Sequence, residues 1–215
     1  MHTMAQAIAD VLAQFAVEIR YRDIPANVLT AAKRSLLDTM AVAIGARSAA
    51  GGREALDLAV DEGGKHASSI WVSATRVPAR SATFVNSLLA SALDFDSLHT
   101  VAVVHSDIVI IPAALAVAEA QGIGGEDLLA AIVVGNEILC RLGCSTRLNS
   151  GWFYTSLYGA IASGAVTARL LGGTISQVAG AMGLGFLSSS GTQQPAVERS
   201  IGKRMQGAIA AAAGV

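Results

Sequence analysis

Residues 156–171 read SLYGAIASGAVTARLL, and this stretch decides the fold class. Its apolar residues recur at a helical spacing, and small side chains dominate it, among them Ala160, Ala162, Gly164 and Ala165. Small side chains leave room for the backbones of neighbouring helices to approach closely. The stretch therefore predicts a tightly packed helical bundle, that is, an all-α fold.

Helical patterns also extend over most of the remaining chain. An amphipathic stripe from Met4 to Ile19 predicts the first helix, and Asp23 with Pro25 marks the start of a second that runs toward Gly45. Further helices are expected over about 52–60, 79–93, 108–120, 126–142 and 175–186. The only convincing strand-like run is Ser69 to Ser73, and one short strand does not make a sheet.

Two short motifs carry no function in this context. The run from Gly180 to Gly185 is glycine-rich, but it lies within a helical pattern and not after a strand, so we assign it to helix packing instead of nucleotide binding. Ser200 to Lys203 fits a Ser-x-x-Lys pattern, but the other motifs of the serine enzymes that use it are absent.

Composition limits the classes of partner. The chain has 215 residues, of which 53% are apolar and 14% charged, and its 15 basic residues nearly balance its 16 acidic ones. This balance disfavours binding to nucleic acid or to an anionic membrane surface. The uncharged stretch from Leu170 to Val197 is long enough to span a bilayer, but it holds too many glycines and polar residues for lipid. With no secretory signal at the N-terminus, we expect a cytoplasmic protein.

The two cysteines do not predict a metal site. Cys140 and Cys144 are four residues apart on one predicted helix, and no further cysteine or histidine lies nearby at ligand spacing. We expect both to be reduced core thiols, and we expect the protein to need neither a metal nor another cofactor.

The best candidate for chemistry is the segment from Ala92 to Asp107. In a chain this poor in charge, it concentrates three aspartates and two of the four histidines, which are Asp94, Asp96, Asp107, His99 and His105. Histidine exchanges protons near neutral pH, and a carboxylate can orient it or act beside it. The segment is either an acid/base site or a loop in which Asp94 and Asp107 cap helix ends.

Several motifs, in order along the chain, resemble the N-terminal helical domain of the MmgE/PrpD family. The motifs are 36–45 (LLDTMAVAIG), 94–105, 135–138 (GNEI), 156–159 (SLYG), 168–172 (ARLLG) and 200–214. The family includes 2-methylcitrate dehydratase, cis-aconitate decarboxylase and an iminodisuccinate epimerase, which are metal-free homodimeric enzymes. The resemblance implies that residues 1–215 form the helical domain, truncated at the C-terminus, without the α+β lid domain that follows it in the family.

The resemblance also implies a set of site residues. Asp94, Asp96 and His99 match the family's D-F-D-D-T-H-type loop, His105 matches the histidine of the following segment, and Lys203 matches the lysine of its S-x-x-K-R motif. We expect Asp94, His99 and His105 to be catalytic. Binding of the substrate is expected from Lys203, Asp96 and Tyr154, with Lys203 anchoring a carboxylate.

The chain departs from the family pattern at several positions. Phe153 stands where the dehydratases and decarboxylases often have a histidine, and the other departures are Ser91, Ser97, Leu98, Ser106 and Ala208. The resemblance implies metal-free lyase chemistry, either dehydration or decarboxylation, on a small di- or tricarboxylate. Without the lid domain we expect the site to be incomplete and these 215 residues alone to be inactive. The alternatives are an isomerase or epimerase of a small dicarboxylate, and a catalytically silent helical dimerisation module. We expect a homodimer or a larger assembly.

Overall fold

The computed structural model describes residues 8–146 and 151–215, and within them nearly all regular structure is helical. The helices are α1 (Ile8–Glu18), α2 (Ala26–Gly45), α3 (Gly52–Asp61), α4 (Ala79–Ser91), α5 (Asp107–Gln121), α6 (Gly125–Ser145), α7 (Tyr154–Leu170), α8 (Ile175–Leu187), α9 (Gln194–Val197) and α10 (Gly202–Ala213). One 3-10 turn (Tyr21–Asp23) joins α1 to α2, and strands β1 (Ser68–Ser69) and β2 (Arg76–Val77) pair antiparallel. The all-α prediction is confirmed.

Helix α5 forms the centre of the bundle. It is apolar on all sides, and Ile108, Val109, Ile110 and Ile111 are almost fully buried. A helix without a polar face has to be surrounded by others. Helices α4, α6, α7 and α10 pack around it, so the N-terminus of α5 lies deep among neighbouring elements.

Small residues bring α7 and α8 into backbone contact, as residues 156–171 predict. A Cβ atom at Gly164 would lie 2.8 Å from the carbonyl oxygen of Ala181, and one at Gly185 would lie 2.4 Å from that of Ala160. The assignment of the glycine run to packing is correct for Gly185. It is wrong for Gly180 and Gly183, which are exposed and have open space around the Cβ position.

Three other local predictions differ from the structure. Along α1 and just after it, Leu12, Phe15 and Ile19 pack against the core as the apolar stripe predicts, whereas Ile8 and Val11 of the same stripe are exposed; Met4 and Ala7 lie outside the described residues. The strand ends at Ser69, because the chain turns back after Ile70 to pair with β2. Helix α10 (Gly202–Ala213) is not among the helices expected from the sequence.

The uncharged stretch from Leu170 to Val197 is broken into the end of α7, the 13-residue α8 and the short α9. In the described part of the chain, α6 alone is long and apolar enough to cross a bilayer, and 50% of its most apolar window is buried inside the fold. A core helix passes the same test, so this is weak evidence for a membrane span. The cytoplasmic location stays a prediction.

The fold brings three chain segments together at one end of the bundle. The long connection from α4 to α5, residues 92–106, lies against the N-terminal ends of α7 and α10. Ser91 at the end of α4 links to α10 because its hydroxyl donates to the carbonyl oxygen of Arg204, at 3.3 Å. The hydroxyl of Thr155 in α7 accepts the backbone N–H of His105 at 2.9 Å.

Candidate active site

The connection between α4 and α5 holds two residues in the left-handed backbone region. Asp94, just after α4, has φ of +54°, and Val103 also has φ of +54°. Aspartate is among the residues that adopt this region more readily, whereas a β-branched valine rarely does. Val103 closes a tight turn in which its N–H donates to the carbonyl oxygen of His99, at 2.8 Å. Strained backbone of this kind clusters at functional sites.

His105 is held by acceptors on one ring nitrogen. Its Nδ1 lies 2.7 Å from Oδ2 of Asp96 and 3.1 Å from the carbonyl oxygen of Ser97. Because both neighbours only accept hydrogen bonds, we assign the proton of the neutral ring to Nδ1. Nε2 then carries the lone pair, and no described residue contacts it through a hydrogen bond. This is the arrangement of a histidine poised to take up a proton.

Asp96 supports this histidine from a buried position. Only 3% of its side chain is exposed, and its second oxygen, Oδ1, is buried without a hydrogen-bond partner in the described part of the chain. A buried carboxylate oxygen without a donor is unfavourable. The site therefore offers an acceptor that a bound hydroxyl group or water could satisfy.

A second buried carboxylate fixes the loop behind His105. Asp107, the first residue of α5, accepts a hydrogen bond from the hydroxyl of Ser97 at 2.6 Å and another from the amide of Asn136 at 2.7 Å. Since the carbonyl of the same Ser97 faces His105, this network positions the imidazole ring indirectly. Asp107 thus holds Ser97 and Asn136 through its side chain, which makes no helix-capping hydrogen bond within the described residues.

Lys203 and Asp94 form an ion pair. Lys203 lies in the first turn of α10, and its Nζ donates to Oδ1 of Asp94. The pair is partly exposed, with 33% of the lysine side chain and 62% of the aspartate side chain accessible. The ligand-free lysine is therefore occupied by a carboxylate, and a ligand carboxylate would have to compete with Asp94.

Two adjoining cavities contain these groups. The inner cavity has a volume of about 10 Å³, room for about one water molecule. Its lining residues are Ser91, Asp94, Asp96, His105, Ile108, Phe153, Lys203 and Arg204. The outer cavity measures about 250 Å³ and shares four of these residues. It is lined by Ser91, Ala92, Asp94, Pro195, Ala196, Arg199, Ser200, Lys203 and Arg204.

The structure thus brings four of the six candidate residues to one place, Asp94, Asp96, His105 and Lys203. His99 and Tyr154 line neither cavity. His99 is exposed, and its Nδ1 accepts the backbone N–H of Ala102 at 3.0 Å within the tight turn. The Tyr154 ring packs at 6.0 Å from the ring of another tyrosine in α7. The catalytic role of His99 and the binding role of Tyr154 stay predictions that this geometry does not support.

Phe153 forms an apolar wall of the inner cavity. It is buried, and its ring centre lies 6.3 Å from that of His105 at an interplanar angle of 41°. The position at which the resemblance implies a histidine is therefore close to His105. In this chain it supplies hydrophobic surface, with no group to transfer a proton.

Sequence reasoning missed the two arginines at the site. Arg199 and Arg204 flank Lys203, and both line the outer cavity. The signal available in the sequence was the basic cluster itself, since 3 of the chain's 15 basic residues fall within residues 199–204. The sequence drew attention to Ser97, Asp107 and the 135–138 motif that contains Asn136, but it could not show that the three are in contact, which depends on the packing of α6 against the loop.

Other cavities lack such a combination of groups. One of about 330 Å³ contains Arg169, whose guanidinium donates to the carbonyl oxygens of Ala16 and Ile19 at the end of α1, and burial lowers the pKa of this arginine. Another of about 480 Å³ is almost wholly apolar. No group of three or more potential metal ligands occurs in residues 8–146 and 151–215.

The prediction of reduced core thiols is confirmed for Cys140, which is free and packs against the core, but it is wrong for Cys144. Cys140 is half-buried and burial raises the pKa of its thiol, although the Ser106 hydroxyl opposes this shift. Cys144 is exposed in the last turn of α6, so it is a free surface thiol and not part of the core.

Known proteins match this chain over nearly its whole length. A family model described as the MmgE/PrpD N-terminal domain matches residues 10–215. The chain is 30% identical over 215 residues to the cis-aconitate decarboxylase-like protein oryM of Aspergillus oryzae (strain ATCC 42149 / RIB 40), a match that covers 95% of this chain and 44% of that protein. It is also 30% identical over 203 residues to cis-aconitate decarboxylase of Aspergillus terreus, covering 90% of this chain and 41% of that enzyme. The chain thus spans less than half the length of these relatives, and its matched region shows that it belongs to the MmgE/PrpD family.

Proposed function

We propose that this chain provides the acid/base and carboxylate-binding groups of a lyase that acts on a small di- or tricarboxylate. The proposal rests on one observation: His105 and Lys203 line the same cavity, and Asp96 orients the histidine. The histidine supplies a group that exchanges protons near neutral pH, and the lysine supplies a cation for a substrate carboxylate.

The sizes of the two cavities support a position for the substrate. The inner cavity is too small for more than about one water molecule, so the body of the substrate occupies the outer cavity and only its reacting carbon approaches His105. Lys203 lines both cavities and holds the carboxylate next to the reacting carbon. In that position it also stabilises negative charge that develops on the carboxylate during the reaction.

The same groups serve two lyase reactions. In a dehydration, Nε2 of His105 removes a proton from carbon, the C–H electron pair forms a carbon–carbon double bond as the C–O bond breaks, and His105 passes that proton to the departing hydroxyl, which leaves as water. In a decarboxylation, the electron pair of the breaking C–C bond moves into the carbon skeleton, carbon dioxide leaves, and a protonated His105 delivers a proton to carbon. Both schemes use one proton carrier and one carboxylate anchor.

Because Phe153 stands where the dehydratases and decarboxylases often have a histidine, one other candidate is an isomerase or epimerase of a small dicarboxylate. With no second histidine there, the groups that can transfer protons at the inner cavity are those of the Asp96–His105 pair and of the Lys203–Asp94 pair. Removing a proton from one face of a carbon and returning it to the other needs two such groups and no leaving-group donor. Asp94 would have to be released from Lys203 to take part.

The chain can be assayed directly. We would incubate the 215-residue protein with cis-aconitate, 2-methylcitrate and iminodisuccinate in deuterated water and follow the products by NMR. Loss of carbon dioxide or water supports the lyase. Deuterium incorporation without either loss supports the epimerase. Turnover of none of the three, with and without a separately expressed second half of a relative, would favour the silent helical module.

Our proposal extends to the assembly and its cofactors. We propose that the chain forms at least a homodimer, because helix α8 exposes three large apolar side chains near its end, Leu184, Phe186 and Leu187. We propose that the reaction uses no metal or other cofactor and takes place in the cytoplasm. If the protein remains active after dialysis against a chelator, and elemental analysis then finds no metal in it, the proposal of a metal-free reaction is supported.

A further inference from the structure

The outer cavity has an excess of positive charge. Arg199, Lys203 and Arg204 line it, and the single carboxylate in its lining is Asp94. Asp94 is already paired with Lys203, which leaves two guanidinium groups without a carboxylate partner. Arg204 donates to the carbonyl oxygen of Ala50 at 3.2 Å. The side chain of Arg199 makes no hydrogen bond or ion pair with any described residue.

Arg199 occupies a backbone position that suits glycine. Helix α9 ends in a Schellman motif, in which the N–H of Arg199 donates to the carbonyl oxygen of Ala196 and the N–H of Ser200 to that of Pro195. Arg199 is the left-handed residue of this motif, with φ of +53°. Glycine adopts this conformation without strain, whereas a residue with a Cβ does not. The arginine therefore strains the turn, and nothing in its own contacts offsets that strain.

The position of Arg199 defines an axis through the site. Lys203 and Arg204 line both cavities, but Arg199 lines the outer cavity alone. It therefore lies on the side away from His105. A ligand whose reacting carbon faces His105 would present its far end to Arg199.

We propose that Arg199 is a specificity-determining residue that binds the carboxylate farthest from the reacting carbon, so that the site selects ligands with three carboxylates over ligands with two. Lys203 holds the near carboxylate, and Arg199 forms charge-assisted hydrogen bonds with the far one. This inference rests on the proposed function for the direction of the axis, but its test does not require turnover.

The test compares two unreactive ligands that differ by one terminal carboxylate, tricarballylate and methylsuccinate. Binding of each to the 215-residue chain is measured by calorimetry at low ionic strength. Arg199→Gly should weaken tricarballylate binding by about tenfold, the effect of one lost charge-assisted contact, and leave methylsuccinate binding unchanged. Arg199→Lys should restore part of the difference. Arg47→Ala, at an exposed arginine away from both cavities, is the matched control.

Stability is measured on the same variants. Arg199→Gly should melt at the wild-type temperature or above it, because glycine adopts the left-handed conformation freely. If that variant melts lower, Arg199→Asn replaces it, since asparagine tolerates this conformation.

The outcomes separate this inference from the proposed function. Equal weakening of both ligands, or no change in either, would overturn the role of Arg199. If Lys203→Met abolishes binding of both ligands while Arg199→Gly affects neither, the carboxylate anchor stands and the inference fails. If the selectivity depends on Arg199 but no substrate is turned over, the inference stands and the proposed reaction fails.

Discussion

Asp96 and His105 form a buried carboxylate–imidazole pair, with Oδ2 of the aspartate 2.7 Å from Nδ1 of the histidine. The carbonyl oxygen of Ser97 faces the same nitrogen. The two acceptors fix one tautomer, so the other nitrogen, Nε2, is the one available for proton transfer. The pairing therefore predicts which ring nitrogen of His105 carries the hydrogen atom. The position of that hydrogen can be measured without an activity assay.

Changing Asp96 should disturb both the tautomer and the reaction. In wild-type protein, ¹⁵N NMR should show the neutral His105 ring protonated at Nδ1. Asp96→Asn should populate the other tautomer and lower kcat by about 100-fold or more, the usual contribution of a positioned acid/base group. His66→Gln, at an exposed histidine in the hairpin region, is the control. Protonation at Nε2 in wild-type protein would contradict the assignment.

Lys203 and Asp94 should affect ligand binding in opposite directions. Because the lysine is paired with Asp94 in the ligand-free chain, a ligand carboxylate has to displace that aspartate. Asp94→Asn should therefore tighten tricarballylate binding, by up to about fivefold for a partly exposed pair, while it lowers turnover. Lys203→Met should weaken binding, and Lys33→Met, at an exposed lysine, should not. Weaker binding by Asp94→Asn would show that the aspartate contacts the ligand favourably.

Two glycines of α8 should respond oppositely to the same substitution. Gly185→Ala places a Cβ atom 2.4 Å from the carbonyl oxygen of Ala160, and the backbones of α7 and α8 have to move apart. We expect a loss of at least about 2 kcal/mol in the free energy of unfolding. Gly183→Ala meets nothing within 4 Å and should gain about 0.5–1 kcal/mol from helix propensity. Urea denaturation measures both, and equal effects would mean that α7 and α8 are not packed this closely.

These glycines also show what sequence periodicity could and could not predict. Helical periodicity located α8 to within a residue at each end, because apolar spacing along one helix is a local property. It could not separate Gly183 from Gly185, since which one faces α7 depends on tertiary packing. The strand prediction failed beyond Ser69 for a related reason: the turn after Ile70 is set by pairing with Arg76 and Val77.

Within the site, the resemblance located the loop but not the arrangement of its residues. His99 and His105 are equivalent candidates in the sequence, since both are histidines in one short segment. The tight turn closed by Val103 places His99 outside both cavities and His105 against Asp96. Arg199 was missed because its contribution depends on the fold of α9 and α10 around the outer cavity.

Self-association should depend on the exposed end of α8. Phe186 and Leu187 are 67% and 81% exposed, a large apolar area for the surface of a monomer. If the proposed dimer uses this surface, the double substitution Phe186→Ser and Leu187→Ser should lower the mass measured by light scattering to that of one chain. Leu37→Ser, at a leucine 72% exposed on α2, is the matched control. An unchanged mass for the double variant would place the interface elsewhere.

The two cysteines should react with thiol reagents at different rates. Burial raises the pKa of the Cys140 thiol, so at a given pH a smaller fraction is the reactive thiolate. Cys144 is exposed and therefore accessible to the reagent, so it should be alkylated before Cys140. Iodoacetamide kinetics on the Cys144→Ser variant across alkaline pH should give an apparent pKa for Cys140 above that of an ordinary thiol. A raised thiol pKa in the folded state means that folding favours the protonated form, so this part of the stability is present below the ordinary thiol pKa and is lost as pH rises through the raised one. Cys140→Ser should therefore flatten the alkaline fall in stability, and an unchanged fall would contradict the burial of Cys140 beside Ser106.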